Sequence, residues 1–197
     1  YRVREKRFLV NLESMPDHLY KAFMAAEDSR FFEHEGVDYQ AIPRAFIANV
    51  RDGDSSQGGS TITQQLVKRL LLSPEKSYER KFKEAILAYR LENYLTKDQI
   101  LYLYLNNIYR GNSSYGVEAA ARTYFAKHVD QLTLAEPAVL ACLPKAPSTN
   151  NPYKNPQTTR NRQLWILNRM LVNGFLSQEQ HDQAVAQPLQ YKPMADP

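Results

Sequence analysis

Apolar residues in this chain recur at three- and four-residue spacing along most of its length, and strand-like alternation is scarce, which commits the fold to amphipathic helices. Leu19, Ala22, Phe23 and Ala26 form one such stripe. Ser14-Met-Pro-Asp17 before it supplies a Ser cap, an early Pro and an acid, the pattern of a helix start. Further helices are expected over 39–50, 60–72, 74–95, 97–109, 116–127, 133–143, 159–173 and 177–186. The punctuation agrees with this: a polar Gly- and Ser-rich loop at 51–59, Ser73-Pro74, a Thr96-Lys-Asp-Gln99 capping box, Gly111, and Pro-rich turns over 144–156. Only the first dozen residues, with Phe8 and Val10 on one side, read as a short strand or extended arm. The expectation is a mainly α chain without internal repeats, one domain or two lobes around a cleft.

At 197 residues and 43% hydrophobic content the chain can build a true core, and 23% charged residues is an ordinary surface, so disorder is excluded. The net charge of +4 favours anionic partners without choosing among nucleic acid, anionic lipid and a phosphorylated substrate. Cys142 is the sole cysteine, which excludes an internal disulfide and a cysteine metal cluster; in its apolar run it reads as a small core residue. No apolar stretch approaches the ~18 residues of a membrane span, and no signal peptide opens the sequence. The chain is expected to be soluble or to lack its anchor.

Several segments carry candidate chemistry. Glu27-Asp28 closes the apolar stripe of the first long helix, with Phe31, His34 and Gly36 after it. A carboxylate held against apolar surface loses solvation and becomes suited to proton transfer; the plainer reading is a helix-end acid facing water. His34-Glu35 starts like a zinc helix motif, but position 38 is Asp, so that reading fails. Gln57 to Arg69 offers a Gly pair with hydroxyls, amides and Lys68, groups suited to sugar or phosphate, but not the spacing of a nucleotide loop. In 77–92, Arg80, Lys81, Lys83 and Glu84 crowd one helix, either as a solvated face laced by pairs such as Arg80–Glu84 or as cations aimed at phosphate. Ser73-x-x-Lys76 and Ser148-Thr-Asn150 mimic parts of an acyl-enzyme set, but its third motif is absent and Ser73 is accounted for by capping.

Taken in order, these segments resemble glycosyltransferase family 51, the peptidoglycan glycosyltransferase domain of class A penicillin-binding proteins and monofunctional transglycosylases. The motifs are EDSRFFEHEG at 27–36, GGSTITQQ at 58–65 with Lys68, then Arg80, Lys81 and Glu84. ILYLYLNNIYRG at 100–111 with YGVEAAARTYFAK at 115–127 follows, and Arg162, Leu167 and Met170 close the set. Lys68-Arg69 stands where many members carry Lys-Asn, and Ala126 and Cys142 where Gly is common.

The resemblance implies a lysozyme-like, two-lobed fold spanning 1–197, with a large head lobe and a small membrane-facing jaw near 37–60. It implies polymerisation of lipid II with inversion and release of polyprenyl pyrophosphate, with Glu27 as general base and Glu84 as a second catalytic carboxylate that holds the cations. Asp28, His34, Ser60, Thr61, Gln64, Gln65, Lys68, Arg80, Lys81 and Asn106 are the substrate-binding candidates, Lys68 and Arg80 leading for the pyrophosphate; His34 equally suits a structural hydrogen bond. No cofactor is required by the sequence, and any divalent Mg or Mn ion would arrive with the pyrophosphate. Ile42, Phe46, Ile47 and Val50 would meet the bilayer, although an ordinary core helix would look the same. The expected partners are lipid II, the growing lipid-linked glycan and the bacterial membrane, at the periplasmic face of the cytoplasmic membrane. The Pro-rich end reads as a linker to a transpeptidase domain. Two alternatives stand beside this: a lysozyme-like lytic hydrolase or lyase, which would not need the Lys/Arg set, and a basic nucleic-acid-binding module, which would need exposed aromatics among its cations.

Overall fold

The computed structural model describes residues 6–43, 47, 58–72, 77–107 and 114–193. Its helices are α1 (Asp17–Glu27), α2 (Ile62–Leu71), α3 (Tyr78–Tyr94), α4 (Lys97–Asn107), α5 (Gly116–Phe125), α6 (Glu136–Cys142), α7 (Pro156–Val172) and α8 (Gln178–Ala186). Residues 41–43 and 47 are also helical. Two short strands, β1 (Lys6–Arg7) and β2 (Ser114–Tyr115), pair in parallel with Lys6 opposite Ser114. Mainly α is therefore the observed class, and among the described residues the extended N-terminal arm contributes a strand of two residues. Phe46, Val50, residues 51–57 of the polar loop, the stop at Ser73-Pro74, Tyr109, Gly111 and Pro197 lie outside the described residues.

The chain divides into two compact units, one of residues 1–26 and 105–197, the other of residues 27–104. In the first, the expected stripe of α1 is buried at Leu19, Ala22, Phe23 and Ala26. Ser14 does not cap that helix, as the sequence suggested; it ends a 3-10 turn over Leu12–Ser14, and α1 begins three residues later at Asp17. The core continues through α6, buried along its whole length, and through Ile166, Leu167 and Met170 of α7. The residues after α8 are clamped: Lys192 N–H donates to Tyr124 O at 2.8 Å, Tyr153 O–H donates to Lys192 O at 2.6 Å, and Tyr191 stacks on Phe125. Burial pushes the Tyr191 phenol up to about 12. Glu118 of α5 is 2% exposed and accepts from Arg122, His128 and the Val129 N–H. Burial opposes its ionisation, but the Val129, Arg122 and His128 bonds outweigh it and hold the carboxyl below its ordinary range.

Asn106, at the end of α4, belongs to this scaffold. Its amide pairs with both backbone groups of Val10, accepting from Val10 N at 2.8 Å and donating to Val10 O at 3.0 Å, and it is 1% exposed. These bonds tie the N-terminal arm to α4. Gly116 lies against the same residue, where a Cβ would stand 2.5 Å from Asn106 O.

In the unit of residues 27–104, α2 packs on α3. Ile62, Leu66 and Val67 of α2, Ala88 of α3, and Ile100, Leu101 and Tyr104 of α4 are buried. The starts of these helices follow local sequence. Thr61 caps α2, Thr96 and Gln99 form the expected box at α4, and Ser77 caps α3 by accepting from Arg80 N–H.

Ala126, just after α5, has φ +56°, the left-handed region that favours glycine. It stands where the resembled family commonly carries Gly, and here the methyl is held in that conformation against its preference. Ala126→Gly should therefore raise stability by about 0.5–1 kcal/mol, net of the chain entropy that glycine adds to the unfolded state. Thermal unfolding checks this: a melting temperature about 2 °C higher is expected, and a lower one would contradict it.

Candidate functional site

The site grows from the turn after α1. Asp28 is 7% exposed, and its Oδ2 takes two hydrogen bonds, from the Ile62 N–H at the start of α2 (3.0 Å) and from the His34 ring at 2.7 Å. Gly36 N–H donates to His34 Nδ1 at 3.1 Å, so Nδ1 accepts and Nε2 carries the proton shared with Asp28. The helix start offers unsatisfied N–H groups and positive potential, which suits a carboxylate.

Gly36 serves the same join. Its φ is +93°, and a Cβ there would lie 2.7 Å from Ala88 C and Tyr89 N of the α3 backbone. Only glycine combines that conformation with that approach. Thr61 Oγ1 donates to Gly36 O at 2.6 Å and accepts from Gln64 N, while Gln64 Oε1 accepts from Thr61 N.

Thr61 and Gln64 are thus a buried capping box, 2% and 4% exposed, and Asp28 and His34 a buried bridge. All four substrate-binding candidates therefore have hydrogen-bond partners within the protein. Their short polar groups bind the 27–36 turn to the first turn of α2, and His34 makes a structural hydrogen bond there.

A further chain of bonds supports the turn, and the sequence reading missed it. Lys97 donates to His34 O and to Glu92, and its Nζ lies 4.6 Å from the centre of the Phe31 ring. Thr63 Oγ1 donates to Glu92 Oε1 at 2.6 Å. Glu92 and Lys97 sit on either side of the α3–α4 junction, and no periodicity or motif distinguishes them from a solvated helix-end pair.

The other candidate residues lie at the ends of this scaffold. Glu27, the last residue of α1, is half-buried, and its Oε2 accepts from Gln65 Nε2 at 3.0 Å. Gln65 Oε1 in turn accepts from the Tyr104 hydroxyl at 3.3 Å. On α3, Glu84 is 1% exposed and accepts from Lys81, whose ammonium also donates to Ser60 Oγ at 2.7 Å. The observed partner of Glu84 is therefore Lys81, on the exposed side of the helix. Arg80 is half-buried in the first turn of α3. Lys68 is exposed and makes no hydrogen bond or ion pair with any described residue. Among the described residues no group of three or more His, Cys, Asp and Glu is placed to hold a metal ion.

All of these residues but Asn106 fall within the unit 27–104, so that unit holds one oriented carboxylate together with a basic set on α2 and α3. Such an arrangement can take up a proton and stabilise a departing anion.

Residues 1–171 match the transglycosylase family. The chain is 50% identical over 188 residues to penicillin-binding protein 1A of Aquifex aeolicus, covering 95% of this chain and 26% of that protein. A Cupriavidus necator protein named as a transglycosylase is 51% identical over 183 residues, 93% of this chain and 79% of that one. The crystal structure of penicillin-binding protein 1A from Haemophilus influenzae superposes with a TM-score of 0.59 at 29% identity, over 97% of this chain and 19% of that chain. The chain thus spans about a quarter of the length of the Aquifex protein and most of the Cupriavidus one. On a match that runs through nearly every motif described above, the chain belongs to the transglycosylase family, glycosyltransferase family 51, the lysozyme-like and mainly helical peptidoglycan glycosyltransferases.

Proposed function

We propose that this chain polymerises lipid II into glycan strands, with Glu27 as the general base. The observation that carries the reading is the Glu27 carboxylate, held by Gln65 in the same unit as Lys68, Arg80 and the Glu84-anchored Lys81. Glu27 takes the proton from the 4-hydroxyl of the acceptor sugar as that oxygen attacks the anomeric carbon of the donor glycan. The bond from that carbon to the pyrophosphate oxygen breaks with its electron pair, and the configuration inverts. The departing pyrophosphate needs compensation of charge rather than a proton, so one carboxylate suffices and the second acid of a lytic enzyme has no task. A fixed set of cations in a poorly solvated site stabilises such charge as it develops. A divalent ion bound to the pyrophosphate would add to that compensation.

The site of action in this reading is the periplasmic face of the bacterial cytoplasmic membrane, where a lipid-linked substrate is found. Exposed apolar side chains in the 27–104 unit support it: Tyr39, Ile42 and Ile47 are 79%, 50% and 64% exposed, and Tyr78, Phe82, Ile86 and Tyr89 recur at helical spacing on the outer side of α3. Among the described residues no helix is long and apolar enough to cross a membrane, so these side chains would lie on the bilayer surface. The likeness to penicillin-binding proteins supports a transpeptidase domain in the parent protein.

Incubation with lipid II and a chain-length readout tests the reading directly. Solubilisation of preformed peptidoglycan without polymer would favour the lytic alternative. Glu27→Gln keeps the size of the side chain but removes the base, so polymerisation should fall by about 10²–10⁴-fold with the melting temperature nearly unchanged. Turnover within about threefold of the parent would remove Glu27 from that role.

The pyrophosphate role of Arg80 separates charge from geometry. Arg80→Lys keeps the charge but loses the forked donor, so turnover should fall. Arg80→Ala should cost about 3 kcal/mol of transition-state stabilisation, felt on turnover more than on substrate binding. Parental turnover in the Ala variant, with only a small loss of stability, would leave Arg80 as a surface cation.

For the bilayer, Ile42→Asp and Ile47→Asp should weaken binding to anionic liposomes while the domain stays folded. A loss of thermal stability of the size of a core mutation, with no liposome binding by the parent, would move both residues into the core.

A further inference from the structure

Tyr104 is fully buried on α4, with its ring in the core of the 27–104 unit. Its hydroxyl donates to Gln65 Oε1 at 3.3 Å, and Gln65 donates from Nε2 to Glu27 Oε2 at 3.0 Å. A primary amide has an accepting end and a donating end, so its orientation decides which of the two a neighbouring carboxylate meets. With a hydroxyl hydrogen on its oxygen, the Gln65 amide presents N–H to Glu27. Turned over, it would present a carbonyl oxygen, which repels an ionised carboxylate. The 3.3 Å separation is long for an O–H···O bond, and such bonds in substrate-free sites commonly shorten when the reacting groups are bound.

From this geometry we propose that Tyr104 is a positioning residue for the transfer reaction, acting through Gln65 to hold the Glu27 carboxylate in the orientation that receives the acceptor proton. The Tyr104 hydroxyl fixes the amide, and the amide fixes the acid. The buried ring packs whether or not the hydroxyl is there, so packing alone does not call for Tyr in place of Phe.

The proposal rests on Glu27 being the base, and the experiment separates the two. Lipid II polymerisation is followed at varied substrate concentration for the parent, Tyr104→Phe, Gln65→Leu, the double variant and Glu27→Gln, with a melting temperature for each. Tyr104→Phe removes one hydrogen bond and keeps the ring, so kcat should fall about five- to tenfold with KM unchanged within roughly twofold. A role confined to packing would lower the melting temperature and leave kcat per folded molecule alone. Because the hydroxyl acts through the amide, Tyr104→Phe should cost almost nothing further in the Gln65→Leu background, whereas independent effects would multiply. Parental kcat in Tyr104→Phe overturns the proposal. So does an equal loss with and without Gln65, or a change confined to KM. Should the Phe variant fail to fold, Gln65→Leu carries the test alone: parental kcat there removes the link between amide and acid. If Glu27→Gln is inactive while Tyr104→Phe turns over normally, only the positioning role falls. If Glu27→Gln is itself active, the base assignment falls and takes the positioning role with it.

Discussion

A buried carboxylate at the first turn of a helix is the constraint on which the rest of this site depends. Asp28 Oδ2 takes the Ile62 N–H of α2 and the His34 ring proton, with only 7% of the residue exposed. Hydrogen bonds to a charged group contribute about 1.5–3 kcal/mol each, and a buried charge stripped of its partners costs more than either bond alone. The 27–36 turn therefore has one low-energy docking on α2. Gly36 brings that turn against the α3 backbone, and Thr61 closes it by donating to Gly36 O. Three segments far apart in the sequence are fixed by groups of a few atoms each, and Glu27, the neighbour of Asp28, is placed by the same join.

The division of labour follows from solvation. Short polar side chains that are buried in this unit have their partners within the protein: Thr61, Gln64, Asp28 and His34 are each bonded to backbone or to one another. Long cationic side chains on α2 and α3 behave differently. Lys68 extends into solvent, and Lys81 is held at its tip by Glu84 and Ser60 while half its side chain stays exposed. The ion pair with Glu84 and the bond to Ser60 fix the Lys81 ammonium while leaving it accessible to solvent. The burial of Glu84 beneath Lys81 fits this, since the carboxylate orients the ammonium without occupying the surface itself.

The same principle explains why several residues of the strongest sequence motifs carry bonds of the scaffold. A motif records every residue type that a local geometry requires, whether for a bond to substrate or for a bond to backbone. Thr61 and Gln64 satisfy the orphan N–H groups at a helix start, a need that exists in any protein. Gly36 is demanded by φ +93° and by the nearness of Ala88. Ala126, with φ +56°, shows the converse, a position whose backbone prefers glycine but which carries a methyl.

The sequence alone determined the helical class, the positions of most helices, the buried stripe of α1 and the candidate acid at its end, because these depend on periodicity and capping within a few residues. Ser14 was misread as a cap for the same reason: a local pattern states that a helix can start there, while burial and the preceding backbone decide where it does. The tertiary structure alone decided which partners the buried polar residues take within the protein. Asp28 meeting Ile62, Asn106 meeting Val10, Glu92 meeting Thr63 and Tyr104 meeting Gln65 are contacts between residues 29 to 96 positions apart. No spacing rule reaches across such distances. The partner of a side chain there is set by how helices pack, and the pairing of Gln65 with both Glu27 and Tyr104 exists only once α1, α2 and α4 have brought those three residues together.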